Sequence, residues 1–173
     1  MPRHKHKQLV VKNPNGRKLL GIIRDGNVET QEEVPIHMQQ FVLDDQSRAD
    51  VLDVCHELQI DLNVNVKAHH LTINYKPVSM RTYNFNFALL THFVDGGPIQ
   101  AARVDPGSIY SANAIPHITL SCADGYAPVL SNQMLGSTGD WEHGAIEMPY
   151  NLAVSGYVEV TYDLRGFEKY IDA

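Results

Sequence analysis

The chain has 173 residues, 43% of them hydrophobic, and a formal net charge of −6. That length suits a single domain spanning 1–173 with a proper apolar core. The acidity argues against salt-dependent coating of duplex nucleic acid, but a nucleotide or RNA end needs only a local positive spot, available from Lys67, Lys76, Arg81 or Arg103.

Residues 1–7 are polar and basic and are expected to fray. The apolar stretch after MPRHKHK is too short for a secretory core, and no run is long enough to span a membrane, so a cytoplasmic protein without a membrane partner is expected. QLVVKN and RKLLGIIRD flank an Asn-Pro-Asn-Gly turn and predict an N-terminal hairpin. DGNVETQEE reads as an acidic loop. VPIHMQQFVLD predicts a strand ending at Asp44 or Asp45. Ser47 is a candidate helix cap, because its hydroxyl can accept an orphan backbone N–H. RADVLDVCHEL follows with Val51, Leu52, Cys55 and Leu58 on one stripe.

KAHHLTINY predicts a strand that Pro77 ends. TYNFNFALLTHFV alternates as a long strand, Gly96-Gly97-Pro98 breaks it, and PIQAARVD returns as the second arm of a hairpin. DPGSIYSANAIP is a loop, PHITLSCA a further strand, and a short helix is expected near Val129–Leu135. NLAVSGYVEVTYDL closes the chain as a strand. The class is α+β: two-lobed, a mostly antiparallel sheet with a central groove and few helices. Cys55 and Cys122 are expected to be reduced, and no Cys-x-x-Cys occurs.

Two of these strands carry one pattern, His70-Leu71-Thr72 and His117-Ile118-Thr119. Alternation puts each His beside its Thr on one face, with Leu71, Ile73, Ile118 and Leu120 on the other. Set across a groove, they offer two imidazoles and two hydroxyls to one small site. Cleaving a phosphodiester needs a base for the attacking oxygen, an acid for the leaving oxygen and donors for the non-bridging oxygens. Imidazole titrates in the right range for the first two roles, and threonine O–H groups serve the third. No metal, cofactor or protein nucleophile is required, because water can attack a strained cyclic phosphate directly. The sequence permits either His to be the base.

A pair of His-x-Thr strands resembles the two-histidine phosphoesterase superfamily, which includes RNA cyclic phosphodiesterases and the phosphodiesterase domain of fungal tRNA ligase. HITLSCADGYAPVLSN is most similar to its cyclic nucleotide phosphodiesterase-like members. The resemblance covers about residues 36–165. It implies His70, Thr72, His117 and Thr119 as the catalytic set of a hydrolase in RNA processing that opens a 2′,3′-cyclic phosphate. Hydrolysis of cyclic di- or oligonucleotide signals, or binding of a nucleotide or RNA end without turnover, are the alternatives.

Around this set, Ser121 is in register with Thr119 and can reach a phosphate. Tyr110 can stack on a base from the preceding loop. Lys76 and Arg81 are candidate phosphate ligands, and Trp141 with His143 can close a Gly-rich loop over the groove. His69 is expected to point away from His70. His4 and His6 form only a weak chelating pair, so no metal site is expected.

Overall fold

The computed structural model describes residues 7–12, 18–24, 27–77, 86–136, 145–163 and 165. The Asn-Pro-Asn-Gly turn, Arg81, Trp141, His143, His4 and His6 lie outside the described residues.

Strands β1 (Lys7–Lys12), β2 (Lys18–Arg24) and β3 (Asn27–Val34) form a three-stranded sheet in that order. The β1–β2 hairpin is antiparallel, with Lys12 opposite Lys18, as the sequence predicts. The acidic segment expected to be a loop is instead strand β3, antiparallel to β2 from Lys18↔Val34 to Arg24↔Asn27. Main-chain pairing with a preformed hairpin outweighs the weak strand preference of Asn and Glu.

β4 (Ile36–Leu43) leads into α1 (Asp45–Glu57). The cap is Asp44, not Ser47: its carboxylate accepts from the Ser47 N–H at 2.7 Å. Ser47 lies inside the first turn, where its hydroxyl accepts from the Ser155 N–H at 2.7 Å. Val51 and Cys55 are buried and Leu52 and Leu58 half-buried, so the expected stripe is the packing face. The helix ends in a Schellman arrangement: Ile60 N–H bonds the Cys55 carbonyl and Gln59 N–H that of His56, with Gln59 at φ 56°.

The remaining elements are β5 (Asn65–Val66), β6 (His70–Tyr75), β7 (Phe87–Asp95), β8 (Ile99–Val104), β9 (His117–Cys122), α2 (Leu130–Gly136) and β10 (Ala145–Tyr162). Gly97, at φ +80°, lets the chain reverse between β7 and β8. The seven-stranded sheet has the order β5-β9-β6-β4-β10-β7-β8, and β8 also pairs β9, so the strand order returns on itself. The pairings of β5, β6 and β8 with β9, and of β7 with β8 and β10, are antiparallel. The protein is therefore α+β with a predominantly antiparallel sheet, as the alternating segments predict.

The chain divides into two compact units. The smaller holds the described residues up to Gln39, Tyr75–Pro77 and those from Val160 onward; the larger holds Gln40–Asn74 and the described part of 83–159. The main core belongs to the larger unit. Phe41, Leu43, Leu71, Ile73, Leu90, Phe93, Ile118, Leu120 and Val154 pack there with Val51 and Cys55 of α1. Gly156 of β10 lies so close to the Val42 carbonyl that a Cβ would overlap it; a glycine inside a strand serves such an approach. Cys55 and Cys122 are buried free thiols. Among the described residues, no helix is long and apolar enough to cross a membrane.

Candidate active site

Both His-x-Thr strands lie in the larger unit, and they are direct neighbours. β6 pairs β9 with Leu71 opposite Ile118. Both of these side chains are wholly buried in the main core. His70 and Thr72 flank Leu71, and His117 and Thr119 flank Ile118. All four flanking side chains therefore project from the other face of the sheet. The antiparallel register thus brings together the four residues named from the sequence.

The same register adds a cation. β8 lies on the other side of β9 with Arg103 opposite His117, and β7 places His92 opposite Arg103. Thr72, His117, Arg103 and His92 thus form a polar row across four strands. In the parallel row, Thr119 faces Ala101 and Ala101 faces Val94. Leu135 of α2 packs on Ala101 and Val94, with Met134 and Ile115 beside them. Helix α2 covers that end of the face, and its buried Ser131 hydroxyl lies 2.8 Å from the Thr119 hydroxyl. Ser131 is a site residue that reading the motifs alone misses. Arg103 had a signal: it is the one charge in the apolar run IQAARV.

His117 is buried, with 7% of its surface exposed. Its Nδ1 lies 2.8 Å from the Ile115 carbonyl oxygen. A carbonyl only accepts, so Nδ1 carries the proton and neutral His117 presents a bare Nε2. Burial lowers its pKa, and the bond to Ile115 partly opposes that shift. His70 is half-buried. Burial, then the neighbouring His69 and His117 imidazoles, pull its pKa from 6.5 down to about 4. In the register of Leu71 with Ile118, His70 and His117 stand diagonally across β6 and β9 on one face.

His69 departs from expectation. Its Nδ1 lies 3.0 Å from Nδ1 of His70, with the rings edge to face. The cause is a bulge. Val66 pairs Ser121 and Leu71 pairs Ile118, so five steps along one strand match three along the other. Ala68, at φ 47°, turns the chain within this segment, and strict alternation starts only at His70. Backbone bonds pin the bulge: Ala68 N–H to the Thr119 carbonyl and Leu43 N–H to the His69 carbonyl, both at 2.9 Å.

The peripheral candidates separate. Ser121 shares the strand face but is wholly buried. Its hydroxyl donates to the Gln100 side-chain oxygen and accepts from the Asn63 N–H, so it is spent on a structural network and not turned toward a phosphate. Tyr110 is exposed in the loop between β8 and β9. That loop is tied to β6 by the Ser111 hydroxyl on the Thr72 carbonyl and the Ala112 N–H on the Ile73 carbonyl, both at 2.7 Å. These bonds hold the residues that follow Tyr110 against β6. Lys76 belongs to the smaller unit, with its ammonium 5.4 Å from the centre of the Tyr75 ring. Among the described residues, no three His, Cys, Asp or Glu side chains gather as metal ligands.

No protein-family model matches the chain, and no curated protein or solved structure matches it either.

Proposed function

We propose that the protein is a metal-independent phosphodiesterase that hydrolyses the 2′,3′-cyclic phosphate of a nucleotide or RNA end. One observation carries this reading: a single sheet face collects two imidazoles, two threonine hydroxyls and the Arg103 strand position.

His117, with its bare Nε2, takes a proton from water as the water oxygen bonds to phosphorus. The bond from phosphorus to one ribose oxygen breaks, and that oxygen leaves with the electron pair. His70 gives it a proton, so the product is a ribose hydroxyl beside a phosphate monoester. Thr72, Thr119 and Arg103 meet the charge that builds on the non-bridging oxygens. Both histidines are neutral in the free protein at pH 7 by virtue of their lowered pKa values. An arriving phosphodiester anion favours positive charge on the imidazoles near it, so substrate itself promotes protonation at the His70 end of the site.

The test is direct. Purified protein is incubated with 2′,3′-cyclic nucleoside monophosphates and with oligoribonucleotides ending in a cyclic phosphate, and products are separated by liquid chromatography. A folded protein that turns over none of these refutes the assignment.

A further inference from the structure

His70 as acid must regain a proton after every turnover, yet it is half-buried and its charged form is disfavoured where it sits. Among the described residues, the imidazole bonded to it is His69. That ring is exposed, and its Nδ1 is 3.0 Å from Nδ1 of His70. Two facing Nδ1 atoms form a hydrogen bond only if one carries hydrogen and the other a lone pair. The exposed ring can hold a positive charge in water; the half-buried one cannot do so cheaply. The hydrogen therefore belongs on His69 Nδ1. His70 then accepts at Nδ1 and keeps its own hydrogen on Nε2. This is the opposite tautomer to that of His117, whose Nδ1–H is held by Ile115.

We propose that His69 is a proton-supplying residue that passes its proton to His70 as His70 protonates the leaving group. The proposal rests on the phosphodiesterase reading of the site. In the step, protonated His69 gives its Nδ1 proton to Nδ1 of His70 while His70 gives its Nε2 proton to the departing ribose oxygen. His69 becomes neutral, His70 stays neutral with its hydrogen now on Nδ1, and the leaving oxygen becomes a hydroxyl. Once product has left, the emptied Nε2 of His70 takes a proton from water in the site and the Nδ1 proton returns to His69, which restores both rings to their starting state. Burial first, then the imidazoles of His69 and His117, disfavour the charged form of His70. The bulge accounts for the geometry, since regular alternation would put His69 on the opposite face from His70.

The experiment combines turnover with tautomer measurement on the full chain. In nitrogen-15 histidine spectra of the wild-type protein, His69 is expected to carry its hydrogen on Nδ1 and His70 on Nε2. The reverse arrangement overturns the proposal. His69→Ala is expected to lower kcat on a 2′,3′-cyclic nucleotide about tenfold, less than loss of the acid itself. Added imidazole should restore the rate with saturation, because the vacated position is open to solvent. His69→Gln separates supply from mere orientation: its amide can donate a hydrogen bond but cannot pass on a proton. It should stay as slow as His69→Ala, and a full rate in His69→Gln overturns the relay. So does a His69→Ala rate equal to wild type, or one that imidazole leaves unchanged. A folded wild-type protein with no turnover overturns the phosphodiesterase reading and the relay with it. An active wild type indifferent to His69 overturns the relay alone.

Discussion

His117 offers the sharpest separation of chemistry from stability. Its ring is 7% exposed and its Nδ1–H donates to the Ile115 carbonyl at 2.8 Å. Replacing it with Ala removes the proposed base, the bond and the buried ring together. The lost hydrogen bond is worth about 0.5–1.5 kcal/mol, and the space left by the ring brings the total to about 2–3 kcal/mol. At about 2–4 °C per kcal/mol for a chain of this size, the melting temperature should fall by about 4–12 °C. His117→Asn is the cleaner change. The asparagine amide nitrogen stands near the position of Nδ1 and can still donate to Ile115, so stability should drop by only about 1 kcal/mol. No nitrogen remains where Nε2 was, and turnover should fall about 10²–10⁴-fold. Rates on a 2′,3′-cyclic nucleotide and calorimetric melting of both variants test the pair. An Asn variant within about threefold of the wild-type rate would remove His117 from the base role.

Three further outcomes are expected. Thr119→Val keeps the branched shape but deletes the hydroxyl that meets Ser131, and should cost roughly 2–4 kcal/mol of transition-state stabilisation in kcat/KM with a smaller change in ground-state affinity; an unchanged kcat/KM would reduce Thr119 to a strand former. His70 titrates near 4 when folded against 6.5 for ordinary imidazole, so on acidification the unfolded chain takes up the proton first. Stability is complete above about pH 6.5 and declines toward pH 4, by up to about 3 kcal/mol from this residue; urea melts at pH 7 and 4.5 should show a smaller decline in His70→Phe than in wild type, and equal declines would contradict the shift. Gly156→Ala drives a methyl into the Val42 carbonyl and should destabilise by about 3 kcal/mol or more, with wild-type melting as the contrary result.

Most of the fold was legible because it obeys local rules. The β7–β8 hairpin announces itself through Gly96-Gly97-Pro98, and α1 through the stripe of Val51 and Cys55. Two readings failed for a shared reason. The segment Asn27–Val34 is polar by composition, yet β2 supplies a complete set of hydrogen-bonding partners. Ser47 looked like the cap because it is a good one, but Asp44 stands three residues earlier and reaches the Ser47 N–H. In both, a neighbour in space or sequence outbids the intrinsic preference of the residue itself.

The candidate site divides along the same line. That His70, Thr72, His117 and Thr119 share one face follows from alternation plus the single pairing of Leu71 with Ile118. Alternation is local and can be read; pairing is not. Arg103 joins His117 only because β8 flanks β9 in one particular register, and no spacing between positions 103 and 117 signals it. Ser121 shows the reverse error. Register puts it on the motif's face, but the segment leading into β5 bonds to it and its hydroxyl donates to the Gln100 side-chain oxygen. His69 shows the limit of periodicity itself. Period-two reasoning holds only where the strand is regular, and the residues added between Val66 and Leu71 break it at the step before the motif. A histidine doublet at a strand entry, after a residue that adopts φ 47°, is where alternation stops being a guide. The bulge that defeats the sequence reading is also what brings a solvent-facing imidazole into contact with His70, and so equips one motif with a second ring that the other lacks.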